Sequence, residues 1–221
     1  MKGPVIIPLD GSGLAEQALP LGMSIAERTG VELLLLRVIS APTVPVQTSK
    51  KFITIDELVA AAEEDAEIYL QAVMESLENV KVSYATTVGI AGECIAEVAE
   101  ERDASYIVMS THGYTGISRW ALGSVADRVL HLTKCPLMIM RPHEGERSLV
   151  NISIPDIQRL VVPLDGSPLA EQVLPYAKEF ARVHGTELFL FCSVPMPPAI
   201  ISERNVAFET QIYQKILQPA S

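Results

Sequence analysis

Residues 107–140, IVMSTHGYTGISRWALGSVADRVLHLTKCPLMIM, leave few options for the fold. The apolar run 106–109 has the length expected of a strand buried on both faces. The chain then turns polar at Ser110, Thr111, His112 and Gly113, and nine residues further on Gly123-Ser124 opens an amphipathic run with Val125, Val129 and Leu132 apolar. Cys135-Pro136 restarts the chain as a second apolar strand over 137–141. The order is strand, loop, helix, strand. A glycine-bearing loop that enters a helix gathers free backbone N–H groups and the positive end of the helix dipole, a combination that suits a phosphate. Ser124 suits the helix N-cap.

The preceding residues repeat the alternation. Residues 5–9 read as a strand ending at Asp10-Gly11-Ser12, followed by one helical face carrying Leu14, Ala18, Gly22, Ile25 and Ala26 and closed by Gly30. Residues 32–39, ELLLLRVI, are a nearly continuous apolar strand of the kind that parallel sheets require. Residues 40–53, with Pro42 and Pro45, read as a loop. From Ile55, apolar Leu58, Ala62, Ala66, Tyr69, Val73 and Leu77 recur at helical spacing, and Glu63-Glu64-Asp65 is a solvated face. Residues 80–88 alternate as a strand near a sheet edge would, and Ile95, Val98 and Ala99 give the next helix its stripe. Strands alternating with helices predict an open, mostly parallel, five-stranded doubly wound α/β sheet of Rossmann-like type. Ligands of such sheets sit beyond the carboxyl ends of the strands, where the strand order reverses.

The chain also repeats itself. PLDGSGLAEQALP at 8–20 returns as PLDGSPLAEQVLP at 163–175, with eleven of thirteen positions identical at an offset of 155. The likeness continues through Gly30 and Gly185 and through Glu32-Leu33 and Glu187-Leu188. No counterpart of the 110–124 loop follows within the 221 residues. The expected organisation is a complete domain over 1–142, a linker over 143–158 and a partial second copy over 159–221.

The run M-S-T-H-G-x9-G-S-V resembles the phosphate and ribose loop of the universal stress protein family, whose usual form is G-x2-G-x9-G-[S/T]. Gly113, Gly123 and Ser124 match, and Ser110 stands where the family's first glycine usually does. The chain is similar to a tandem member with an incomplete second domain. The resemblance implies a nucleotide-binding Rossmann-like fold with ATP, carried with Mg2+, as the ligand. It further implies that Asp10 contacts the adenosine part, that Val38 packs on the base, and that Met109, Ser110, His112, Gly113, Gly123, Ser124 and Val125 complete the site. Asp10 has a purely structural alternative, an Asx turn or N-cap ahead of the helix, and Val38 an ordinary core role. Ser193 falls where Val38 does in the repeat, so one site per chain is expected. The family's fifth strand commonly pairs across a two-fold axis, which makes a homodimer through residues 137–141 the expected assembly.

Several function classes are disfavoured. A formal net charge of −10 and a pI near 4.9 disfavour a nucleic-acid partner. Residues 1–12 hold only a short apolar stretch interrupted by Pro8, too short for a secretory core or a membrane span, so a cytoplasmic location and no membrane partner are expected. Cys94, Cys135 and Cys192 form no C-x-x-C pair and read as small buried hydrophobes. His112 lacks a second ligand at metal spacing, which favours a hydrogen-bonding loop residue over a metal site. No G-x4-G-K-[ST], H-R-D or G-x-S-x-G run is present, so at most slow ATP hydrolysis is expected. The functional expectation is an ATP-binding regulator of the stress response, with a further protein partner left open. The alternative is a non-nucleotide protein-interaction module whose glycine loop is structural.

Overall fold

A computed structural model describes residues 2–40, 46–47, 52–110, 123–140 and 157–192, with residues 46–47 and 52–53 as backbone. His112 and Gly113 lie outside the described residues, as does most of the expected linker. Two compact units divide the chain, Met1–Gln158 with Arg182–Thr186 and Arg159–Ala181 with Glu187–Ser221.

The first unit is a five-stranded sheet flanked by helices. Its strands are β1 (Val5–Pro8), β2 (Leu33–Ile39), β5 (Val82–Val88), β6 (Tyr106–Ser110) and β7 (Leu137–Met140), in the order β5-β2-β1-β6-β7. Every pairing in it is parallel. This is the expected α/β architecture, and the alternating strand β5 is an edge, as its pattern predicts. The inner strands are nearly sealed: Val5, Ile6, Ile7, Leu33, Leu35 and Leu36 are each 0% exposed. Burying a side chain of this kind contributes roughly 1.5–3 kcal/mol, which is why strands covered on both faces read as unbroken apolar runs.

The crossovers are helical. α1 (Gly13–Glu16) and α2 (Leu19–Thr29) follow β1, α3 (Ile55–Glu75) precedes β5, α4 (Ala91–Glu101) follows it, and α5 (Ser124–Leu132) joins β6 to β7. The single helix expected after Ser12 is therefore broken at Gln17-Ala18, with Pro20 in the first turn of the second piece, where its missing N–H costs nothing. Gly30 ends α2 in the left-handed conformation, φ 71°, as expected. Thr54 and Glu57 form a reciprocal capping box at the start of α3. The stretch expected as a plain loop over 40–53 contains a short antiparallel pairing of β3 (Val46–Gln47) with β4 (Phe52–Ile53).

Two further corrections concern α5 and the cysteines. The α5 N-cap is Gly123 and not Ser124, which is the first helical residue. The buried face of α5 is Ala126 and Val129, while Val125 and Leu132 are exposed. Cys94 is buried, Cys135 half-buried and Cys192 exposed, so the expectation for Cys192 fails.

In the second unit, β8 (Arg159–Leu164) and β9 (Glu187–Cys192) pair in parallel through α6 (Pro168–Glu171) and α7 (Leu174–His184). Val162 and Phe180 are buried there, whereas Val161, Leu190 and Phe191 are exposed.

Candidate functional site

Because β1 is followed outward by β2 on one side, while the later strand β6 lies on its other side, the order reverses between β1 and β6. Adjacent strands whose connections leave in opposite directions part at their carboxyl ends and leave a crevice. One of about 390 Å³ opens there. Pro8, Leu9 and Asp10 line it from β1 and the turn after it, Leu36 and Val38 from β2, and Met109 and Ser110 from the end of β6. Ala15 of α1, Ala91 and Ile95 of α4, and Gly123, Ser124, Val125 and Ala126 at the start of α5 complete the lining.

All the described residues among those singled out from sequence thus meet in one place: Asp10, Val38, Met109, Ser110, Gly123, Ser124 and Val125. Sequence reasoning missed Pro8, Leu9, Ala15, Leu36, Ala91, Ile95 and Ala126. These are plain apolar residues, and only their position near strand ends or in the first turns of helices could have marked them.

The polar groups are placed by local chemistry. The Ser12 N–H donates to Asp10 Oδ1 at 2.9 Å, and Ser12 Oγ accepts from the Ala15 N–H at 3.2 Å. An Asx turn and a serine N-cap therefore follow one another, with Ser12 rather than Asp10 as the cap. Gly11, φ 83°, supplies the left-handed residue between them. The sequence repeat keeps this chemistry: Ser167 N–H donates to Asp165 at 2.9 Å, Ala170 N–H to Ser167 Oγ at 3.1 Å, and Gly166 has φ 81°. Hydrogen bonds from Ser167 hold the Asp165 carboxyl below its usual range.

At the start of α5, Gly123 has φ −62° and ψ 148° and makes no side-chain cap. Its backbone is accessible to any residue, so only close approach, not a special dihedral, can require glycine there. The first intrahelical bond, Asp127 N–H to Gly123 O at 2.8 Å, leaves the N–H groups of Ser124, Val125 and Ala126 ahead of it. These residues line the crevice. Among the described residues of the lining Asp10 is the one that carries charge, and the rest of that lining is largely aliphatic. Among the described residues no group of three or more His, Cys, Asp or Glu side chains could hold a metal ion.

Glu16 and Arg37, neighbours in sequence of the lining residues Ala15, Leu36 and Val38, are joined through Tyr69. The Tyr69 hydroxyl donates to Glu16 Oε1 at 2.8 Å, and the Arg37 guanidinium lies 5.0 Å from the Tyr69 ring centroid. Burial, reinforced by the Glu16 bond, pushes the Tyr69 phenol above its usual range.

The model of the universal stress protein family matches residues 1–141. The chain belongs to that family. A universal stress protein of Methanocaldococcus jannaschii is 31% identical over 145 residues, covering 64% of this chain and 84% of the relative. The universal stress protein YxiE of Bacillus subtilis is 28% identical over 151 residues, 64% of this chain and 100% of the relative. A crystal structure of a universal stress protein from Archaeoglobus fulgidus superposes with a TM-score of 0.63 at 22% identity, covering 96% of this chain and 73% of the other. That last likeness speaks for the fold. No helix among the described residues of this family member is long and apolar enough to cross a membrane.

Proposed function

We propose that this universal stress protein binds ATP, or a related adenine nucleotide, in the crevice between β1 and β6 and acts as a nucleotide-dependent regulator. The supporting observation is the convergence of Asp10, Val38, Met109, Ser110 and the first turn of α5 on one crevice at the point where strand order reverses. Aliphatic walls at Val38 and Met109 suit a purine, Asp10 is an acceptor for hydroxyls or an exocyclic amine, and the α5 N–H groups suit phosphate. Mg2+ would enter with the phosphates, and Asp10 is the carboxylate that the described lining offers it.

One site per chain follows from this reading. In the repeat from Arg159, Cys192 ends β9 where Arg37 stands in β2 at the 155-residue offset, and no counterpart of the Gly123-Ser124 pair follows within the 221 residues. The protein works as a homodimer joined along β7. Calorimetric titration with ATP and Mg2+ tests the nucleotide assignment, with a stoichiometry near one per chain expected. Absence of heat and of thermal stabilisation would favour a protein-interaction module instead.

A further inference from the structure

The two Asp-Gly-Ser turns share their hydrogen bonds but not their surroundings. In the first, the three atoms nearest to where a Cβ on Gly11 would stand all belong to the Arg37 guanidinium, Nη1 at 2.8 Å and Cζ and Nη2 at 3.5 Å. In the second, a Cβ on Gly166 meets nothing within 4 Å, and Cys192 stands where Arg37 does at the 155-residue offset. The turn of Asp165, Gly166 and Ser167 nevertheless keeps the same two bonds and the same left-handed glycine. Asp-Gly-Ser therefore forms this turn without a cation against it, and turn formation does not explain the Arg37 contact.

Arg37 is held from its other side. Its guanidinium lies 5.0 Å from the Tyr69 ring centroid, and the Tyr69 hydroxyl is tied at 2.8 Å to Glu16 of α1. A planar guanidinium stacked on a ring keeps little freedom, so it presents a fixed wall to the Gly11 backbone. Its sequence neighbours Leu36 and Val38 line the crevice, and successive strand side chains point to opposite faces, so Arg37 turns away from the crevice. Asp10, bonded in sequence to Gly11, lines it. Arg37 can reach a ligand only through the turn.

We infer that Arg37 is a positioning residue for ligand binding: clamped between the Tyr69 ring and the Gly11 backbone, it fixes the Asp10 carboxylate against the uncharged, nucleoside end of the ligand. This rests on the nucleotide reading above. It accounts for a contact that the first turn carries and its repeat does without.

The test uses the full chain as wild type, Arg37→Met, Tyr69→Leu and Tyr69→Phe, with adenosine and ATP–Mg2+ as separate titrants. Arg37→Met keeps the stem and drops the guanidinium, Tyr69→Leu removes the ring, and Tyr69→Phe keeps the ring and loses only the Glu16 bond. Arg37→Met and Tyr69→Leu should each bind both ligands roughly 3- to 10-fold more weakly, by the same factor for adenosine as for ATP, the worth of one misplaced hydrogen bond. The double variant should be no weaker than either single one, because both break one contact. Tyr69→Phe should bind as wild type does although it is less stable. A merely structural role makes affinity follow stability, so a loss in Tyr69→Phe equal to that in Tyr69→Leu overturns the inference. Unchanged adenosine affinity in Arg37→Met overturns it too, as does a loss confined to ATP that vanishes at high salt, which would make Arg37 a distant counter-charge. Each variant is read only where it melts cooperatively, and Arg37→Met and Tyr69→Leu report on the same contact, so either suffices. Wild-type protein that binds neither titrant overturns the nucleotide reading and this inference with it, whereas wild-type binding with indifferent variants overturns the inference alone.

Discussion

The Arg37 guanidinium lies over the Tyr69 ring, 5.0 Å from its centroid, while the Tyr69 hydroxyl donates to Glu16 at 2.8 Å. The contact joins the end of β2 to the middle of α3 and to α1, the three elements that flank the Asp10 turn. Tyr69→Phe keeps the ring under Arg37 and removes the bond to Glu16, which should cost about 1 kcal/mol in urea unfolding near neutral pH. The phenol's folded-state pKa is raised, so its contribution is fully present below the unfolded value of 10.0 and is lost as pH rises beyond it. Wild type should therefore lose its advantage over Tyr69→Phe above about pH 10. An advantage that persists unchanged at strongly alkaline pH would contradict this arrangement.

Gly11 and Gly166 provide a matched pair of left-handed positions, φ 83° and 81°. A Cβ on Gly11 would stand 2.8 Å from Arg37 Nη1, whereas one on Gly166 meets nothing within 4 Å. Alanine at Gly166 should cost the backbone penalty alone, about 1–2 kcal/mol. At Gly11 it must also displace Arg37 from the turn, so the loss should be larger and should be reduced in an Arg37→Ala background. Equal costs at the two glycines, compared by chemical denaturation of the full chain, would show that Arg37 does not press on the Asp10 turn.

The sheet was legible because parallel strands covered on both faces have no room for polar residues, and Leu33 to Leu36 could be nothing else. The site was legible for a different reason: turn chemistry at Asp10-Gly11-Ser12 and the glycine-serine pair at Gly123-Ser124 sit at strand and helix ends. The break after α1 was hidden because the two short helices share one apolar face, so Leu14, Ala18 and Gly22 keep their spacing through it. Pro20 was the sign of a restart. The face of α5 was misjudged because side-chain size is a poor guide there: small Ala126 is buried while Leu130 and Leu132 are exposed. The pairing of β3 with β4 is too short to leave a period in the sequence. The network of Glu16, Arg37 and Tyr69 was unreadable because it joins residues on three separate elements.

The three thiols should differ in reactivity by environment. Burial pushes the Cys135 thiol up to about 11, and its Sγ donates to the Ala104 carbonyl at 3.2 Å. Cys94 is buried and Cys192 exposed. Since the thiolate is the nucleophile, alkylation of native protein at pH 8 should modify Cys192 first and leave Cys94 and Cys135 protected until unfolding. Peptide mass mapping after brief labelling checks this, and early modification of Cys135 would contradict its placement.

The last prediction concerns β7. It ends the sheet order beyond β6 and, among the described residues, has a strand neighbour on one side only. Its residues are half-buried or exposed, with Ile139 at 38%. An apolar edge with free backbone donors and acceptors is a standing template for pairing, and proteins cover such edges. A second copy related by a two-fold axis covers both edges at once and closes the assembly, whereas a head-to-tail contact would not. Light scattering at micromolar concentration should therefore give a dimer mass. Ile139→Lys places a charge on the edge at a position already open to water, so it should dissociate the dimer while the far-ultraviolet circular dichroism and cooperative unfolding are retained. A wild-type monomer would reject the pairing outright. A variant that stays dimeric would move the interface away from β7.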